Sequence, residues 1–307
     1  MATMRAFEEV CLLGVPTGEI HGELHVGIGQ EAIAAGMASS LRDQDAVVST
    51  HRSHLHAIAK GVALLPMLAE IFERETGLCR GRGGHMHLFD RERRFSSTGI
   101  VGSSLGVALG FAYAARLDRT DAVAVGITGD GGANIGSFHE SLNMAGAWKL
   151  PLVVLVENNG YGISVPFHSV SASRTIAERA CAYGAWGRQV DGTDFQAVYS
   201  SFAEAVDYAR AGNGPALLEA TCHRFRGHFE GDADLYRSDA EKAEMLVSDP
   251  LLLARSRLIA SEAATAHELD EIESAARLRM AGILDEVRRS PQPDPLEARR
   301  FIFQESQ

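Results

Sequence analysis

The stretch that most narrows what this chain can fold into runs from Ala122 to Asn159. AVAVGIT (122–128) is an unbroken run of strand length, GDGG (129–132) is a turn, residues 136–149 carry helical spacing, and LVVLVE (152–157) is a second apolar run. Strands apolar on both faces belong inside a parallel sheet covered by helices, and strand, helix, strand in this order is a βαβ unit. A helix over 175–183, another over 195–211 and a strand over 215–222 continue the alternation. The pattern predicts an α/β fold with a doubly wound parallel sheet. Upstream, EAIAAGMASSL (31–41) and PMLAEIFERE (66–75) have helical spacing, while the glycine-rich stretch 77–110 is too irregular for regular structure before about Ser104. Glycine there permits close approach of backbone to a ligand or another chain. Beyond Asp239 the pattern is charged and helical to about Arg289 and then breaks at SPQPDP. These features give one α/β domain over 1–238, with residues 239–307 as its surface or partner-facing helical extension.

The two strand ends of the βαβ unit carry the chemistry. Gly129-Asp130-Gly131 closes the first strand and Asn158-Asn159 the second. Consecutive parallel strands bring their carboxyl ends to one edge, where open α/β sheets bind ligands, so Asp130 and Asn159 converge. A carboxylate, an amide oxygen and a freed carbonyl near Tyr161 are hard oxygen donors suited to Mg or Ca, leaving positions for phosphate oxygens and water. A helix starting near Gly136 adds amide donors and a positive dipole end for a diphosphate. A nicotinamide reading fits worse, because Asn134 stands where the dinucleotide fingerprint needs its third glycine, and no Gly-Lys-Ser/Thr phosphate loop exists.

A formal charge of −11 argues against nucleic acid or an anionic membrane surface as partner, so any anion must be held by a local device. No run is long enough to span a bilayer and no signal-like segment opens the sequence, which makes the cytoplasm the expected location. Cys11, Cys79, Cys181 and Cys222 form no Cys-x-x-Cys pair and suggest neither a zinc site nor a disulfide framework. Among the twelve histidines, short spacings at His51, His54 and His56 invite zinc, but no completing pattern follows. Proton exchange by His51 and His228 is the better reading.

Taken together, HVGIGQEAIAAGM (from His25), STHRSHLHAIAKG (from Ser49), GLCRGRGGHMHLFD (from Gly77), GIVG (from Gly99), GDGGANIGSFHESLNMAGAWKLP (from Gly129), ENNGYGIS (from Glu157) and RFRGHFEGDADLYR (from Arg224) resemble the alpha subunits of thiamine-dependent 2-oxoacid and acetoin dehydrogenase complexes. The resemblance implies thiamine diphosphate and Mg as cofactors, with Asp130, Asn159 and the Tyr161 carbonyl on the metal. It places His51, Arg52, Gly99, Val101, Gly131 and Gly132 around the diphosphate and aminopyrimidine, and His25 and His228 at the reacting carbon. Two departures stand out. Ser103-Ser104-Leu105-Gly106 replaces the family's usual glycines and proline after GIVG, and His51-Arg52 stands where an aromatic-Arg pair is common.

The resemblance further implies an incomplete enzyme. A beta subunit would supply the carboxylate that activates the cofactor, in an assembly of two alpha and two beta chains, and the acyl group would pass to a lipoyl acyltransferase. The loop Gly227–Asp232 is more like that of acetoin dehydrogenases than the serine-containing loops of pyruvate enzymes, which puts acetoin first and pyruvate second as the small carbonyl substrate. A two-subunit carboligase without a lipoyl partner and a non-catalytic scaffold are the rival readings. Retention of Asp130, Asn159 and His228 argues against the scaffold.

Overall fold

The structure, a computed structural model, describes residues 1–301. Its centre is a seven-stranded sheet in the order β2-β3-β1-β4-β5-β9-β8, with strands β1 (Ala46–Ser49), β2 (Phe89–Asp90), β3 (Phe95–Ser97), β4 (Ala124–Gly129), β5 (Leu152–Asn158), β8 (Trp186–Asp191) and β9 (Ala216–Thr221). All pairings are parallel except β2 with β3. A two-stranded ribbon, β6 (Tyr161–Gly162) and β7 (Val165–Pro166), follows β5. The helices are α1 (Ala2–Gly14), α2 (Glu31–Ala38), α3 (His54–Ala59), α4 (Leu64–Ile71), α5 (Ser103–Leu117), α6 (Gly136–Trp148), α7 (Phe167–Val170), α8 (Phe195–Arg210), α9 (Asp239–Val247), α10 (Pro250–Ala260) and α11 (Ala266–Arg289).

Strand side chains alternate between two cores, one on each face. Val47, Val125, Ile127, Val153, Leu155 and Leu218 point into the larger, which takes residues from α1, α2, α4, α8 and α11. Val48, Ala124, Val154, Val156 and Leu217 point into the other, against Leu105 and Ala108 of α5 and Phe138 and Leu142 of α6. A Cβ on Gly126 would lie 2.7 Å from Leu105, so glycine in mid-strand lets α5 lie directly on β4. The expected doubly wound sheet is therefore present, with helices on both faces.

Some local expectations are corrected. The glycine-rich stretch is not free of regular structure before Ser104: it contains β2 and β3, the latter pairing with β1. The helix expected over 175–183 is a 3-10 helix, Ala177–Tyr183. Its first amides at Ile176 and Ala177 donate to the fully buried Glu219 carboxylate at 2.8 and 2.9 Å, a tether that fixes its start on β9. Edge strand β8 carries partly exposed polar side chains and gave no apolar run to find. In the C-terminal region, α11 starts on a Thr265–Glu268 capping box and buries Met280, Leu284 and Val287 in the larger core with α1 and α4. Residues 302–307 of the expected extension lie outside the described residues. Among the described residues no helix is long and apolar enough to cross a membrane.

Candidate active site

Parallel register sets Gly129 of β4 beside Glu157 of β5, so the two motifs leave the sheet level with each other. Beyond them the backbones touch. A Cβ on Gly131 would come within 3.1 Å of the Gly162 Cα, and one on Gly162 within 3.3 Å of the Gly131 Cα, so glycine at both positions lets the β6–β7 ribbon lie tightly against the Asp130 turn. Asn158 serves structure: its amide donates to Glu219 at 2.7 Å and its oxygen accepts from Gly160 N–H at 3.0 Å. Asn159 is left to face the cavity, its oxygen accepting from Tyr161 N–H at a long 3.3 Å.

The cavity at this sheet edge holds about 300 Å³ and is lined by Asp130, Gly131, Gly132, Asn159 and Tyr161, together with His51, Arg52, Val101 and His228. Nine of the residues the sequence singled out thus converge from five separate stretches of chain. Gly99 lies between the lining residues Thr98 and Ile100, with its N–H donating to His87 Nε2 at 3.3 Å. His25 sits behind the cavity wall, its ring 4.5 Å from His51 and 4.9 Å from His228 between centroids. The serines that replace the family's usual residues fasten the start of α5: Ser104 Oγ donates to the Ile127 carbonyl at 2.6 Å, and Ser103 Oγ to that of Ile100 at 2.9 Å.

Asp130 is only 2% exposed, and its Oδ2 has no hydrogen-bond partner. Burial pushes its carboxyl up to about 6, against opposing help from backbone amides of the turn and from Arg224. A desolvated carboxylate oxygen without a partner, in a cavity that Asn159 and Tyr161 also line, could take a hard cation as its partner.

The imidazoles have the opposite electrostatics. Burial first, then crowding by one another and by Arg52 and Arg224, holds His25 at about 2, His51 at about 3 and His228 at about 4. All three are neutral at pH 7, each with one donor and one acceptor nitrogen. Arg52 does not have a free fork: one Nη donates to the Val26 carbonyl and the other to the His228 carbonyl at 2.8 Å, tying the His228 loop to the segment before α2. The loop is held on its other side by Asp232, which accepts from His228 N–H at 2.6 Å and from Tyr236 OH at 2.8 Å. Arg237, buried against Asp234, donates to the carbonyls of Arg224 and Arg226.

Sequence reasoning missed Gln30, Thr128, Glu157 and Ile163 in the lining. Glu157 adjoins Asn158 in the strand-end motif, which was a usable signal; its partner His56, at 3.1 Å from Nε2, was not legible.

Residues 1–296 match the family described as dehydrogenase E1 component. The chain belongs to that family. It is 41% identical over 304 residues to the alpha subunit of acetoin:2,6-dichlorophenolindophenol oxidoreductase from Bacillus subtilis, covering 99% of this chain and 91% of the relative. The protein of the same name from Cupriavidus necator is 38% identical over 297 residues, covering 96% and 89%. The pyruvate dehydrogenase E1 component subunit alpha of Rhizobium meliloti is 38% identical over 299 residues, covering 97% and 86%. Members of this family are thiamine diphosphate-dependent oxidoreductase components.

Proposed function

We propose that this chain is the alpha subunit of an Mg- and thiamine diphosphate-dependent acetoin dehydrogenase, assembled with a beta subunit as two of each, which hands its acetyl group to a lipoyl acyltransferase. The residues fit the cofactor. The unpartnered Asp130 oxygen, the Asn159 amide oxygen and the Tyr161 carbonyl would hold Mg, and the amides at Gly131, Gly132 and the start of α6 would receive the diphosphate. Gly99 and Val101 would flank the cofactor from the loop before α5. Bound thiamine diphosphate supplies the electron sink for the broken carbon–carbon bond. His51 and His228, neutral and at the cavity surface, exchange protons with substrate oxygen; His25 backs them. Arg52 holds His228 in place through its carbonyl and also lines the cavity, where the resemblance puts it near the diphosphate.

The acetoin reading is carried by the arginines around His228. Arg226 is paired with Glu230 at 2.9 and 2.8 Å, Arg224 donates to Tyr236 OH at 2.6 Å and the Ile163 carbonyl at 3.1 Å, and Arg52 is engaged as above. With these cations occupied and the imidazoles neutral, the surroundings of His228 suit a neutral hydroxyketone better than a substrate carboxylate. Phe229, 6.5 Å from His228 between ring centroids, adds apolar surface. Pyruvate is the second reading, favoured by relatives that carry that name. Supporting the beta partner, the cavity mouth bears Ile100, 72% exposed, and Ile163, 59% exposed, and α5 and α6 continue it with Phe111, Tyr113, Leu117 and Trp148. Exposed large apolar side chains in this number are what a contact surface carries. The test is kcat/KM for acetoin, pyruvate and a branched-chain 2-oxoacid on the reconstituted pair with an artificial electron acceptor. Preference for acetoin is expected; preference for either oxoacid removes the assignment.

A further inference from the structure

The closely spaced histidines of the sequence do not meet on one ion, since His54 turns to Glu8 and His56 to Glu157. The fold assembles a different set. His25, His51 and His228, from three distant stretches of chain, each offer a ring nitrogen, and these nitrogens all lie within 4.8 Å of one another. Ring centroids are 4.5 Å apart for His25 and His51, 4.9 Å for His25 and His228, and 5.5 Å for His51 and His228. An imidazole nitrogen bonded to Zn2+ at about 2.0–2.1 Å puts its ring centroid about 3.2 Å from the ion. Three such rings stand about 4.5 Å apart when they bind at right angles and about 5.2 Å apart at tetrahedral angles. The observed spacings match that interval to within a few tenths of an ångström, so small ring rotations bring three nitrogens onto one metal. His25 is 4% exposed, and its Nδ1 has no hydrogen-bond partner. A buried ring nitrogen left unpaired carries a cost that an apolar side chain would not, and a metal would remove it.

We propose that His25, His51 and His228 form a second metal site, for Zn2+ or a similar borderline transition ion, whose occupancy shuts off the enzyme. The proposal rests on the reading of the cavity imidazoles as proton-exchanging groups. A metal needs the neutral ring, and burial holds His25 at about 2, His51 at about 3 and His228 at about 4, so no proton competes for these nitrogens at pH 7. Arg52 and Arg224 repel any cation placed there, and that repulsion selects the ion. Mg2+ and Ca2+ gain little from nitrogen and belong with the oxygen donors of Asp130, Asn159 and Tyr161, whereas Zn2+ binds imidazole strongly enough to offset the two charges. Arg224 Nη1 lies 3.4 Å from His228 Nδ1, a long contact that is cheap to give up. His51 and His228 line the cavity and His25 lies behind its wall, which leaves the fourth position of a tetrahedral ion on the cavity side. Zn2+ held this way takes the lone pairs that His51 and His228 use for proton exchange and stands in the path of the substrate. Inhibition is then competitive with the carbonyl substrate and leaves the cofactor bound. Another buried group, Glu8, Cys11 and His54, is a poorer site, because Glu8 is already paired with Gly27 N–H and His54 Nδ1.

The test uses the holoenzyme, assembled with its beta partner and saturated with Mg2+ and thiamine diphosphate, and adds Zn2+, or Co2+ as its spectroscopic substitute. His51→Phe keeps an aromatic ring of similar size and removes one ligand; His228→Phe is the second variant, for the case that the first does not assemble. Zn2+ affinity is read by calorimetry, which needs no turnover, and the Co2+ complex by its visible absorption. The site predicts that either variant weakens Zn2+ binding by about 10²-fold or more and loses the nitrogen-coordinated Co2+ spectrum. Inhibition of the wild type should rise with zinc occupancy, compete with the carbonyl substrate, and persist when Mg2+ is raised to about a hundredfold excess over Zn2+. Variants that bind Zn2+ as tightly as the wild type overturn the site. Inhibition relieved by Mg2+ overturns it as well, because the zinc would then sit on Asp130 and Asn159. Zinc bound to the three imidazoles with full activity retained overturns the regulatory role. A wild type that turns over neither acetoin nor an oxoacid removes the reading of the cavity, whereas the calorimetric comparison decides the metal site by itself.

Discussion

Asp130→Asn separates the cost of the site from its use. In the cofactor-free chain the Asp130 carboxyl is almost fully buried with one oxygen unpartnered, and burial raises it from 3.8 to about 6. At about 1.4 kcal/mol per pH unit, the ionised group destabilises the cofactor-free fold by on the order of 3 kcal/mol at pH 7. The folded chain holds this proton more tightly than the unfolded one, so the destabilisation is absent below about pH 4, grows between about pH 4 and 6, and is constant above. Asparagine has nearly the same shape and no charge to desolvate. Scanning fluorimetry of the cofactor-free protein at pH 7 should therefore show the variant melting higher, by about 5 °C at the few degrees per kcal/mol typical of chains this long. Mg-thiamine diphosphate at a hundredfold excess over its dissociation constant should then stabilise the wild type by about 2.7 kcal/mol and the variant hardly at all, closing or inverting the order. The difference between the two cofactor-free proteins should vanish on acidification to about pH 4. A variant that melts lower without cofactor, or that keeps the full cofactor-induced shift, would refute the reasoning.

Gly131→Ala places a Cβ 3.1 Å from the Gly162 Cα, so the β6–β7 ribbon must move by a few tenths of an ångström; calorimetry should show cofactor affinity falling by about tenfold or more, with the sheet unaffected by circular dichroism. Glu8→Ala leaves the Gly27 N–H and the His54 ring unpaired inside the protein, and denaturant titration should register a loss of about 2–5 kcal/mol. Tyr236→Phe deletes the hydroxyl that donates to Asp232 and accepts from Arg224, so hydrogen exchange over residues 224–236 should accelerate and kcat should fall more than cofactor affinity. The chain alone should turn over acetoin negligibly and gain activity on addition of the beta subunit; full activity from a preparation shown by mass spectrometry to hold only this chain would contradict the two-subunit account.

What the sequence revealed, and what it concealed, follows from the range of the interactions. The β4–α6–β5 unit was legible because a strand buried on both faces must be an apolar run, and because a Gly-Asp-Gly turn marks the end of the first one. Strand β1 has four residues and β8 is a half-exposed edge, so neither leaves a periodic signature. Asp130 and Asn159 were found because both sit at strand ends, where topology alone decides proximity. The partners of Arg52 and the alignment of His85 with His25 and His54 depend on loops from distant parts of the chain meeting behind the cavity, and no local spacing encodes that.

The central claim is that a divalent metal and thiamine diphosphate sit at the carboxyl ends of β4 and β5. It is tested most directly by diffraction from the assembled protein crystallised with Mn2+ and thiamine diphosphate, recorded at the Mn absorption edge. The account predicts one anomalous peak per alpha chain, bounded by the Asp130 carboxylate, the Asn159 amide oxygen and the Tyr161 carbonyl. A peak at any other place, or cofactor density with no metal between those three oxygens, would contradict it.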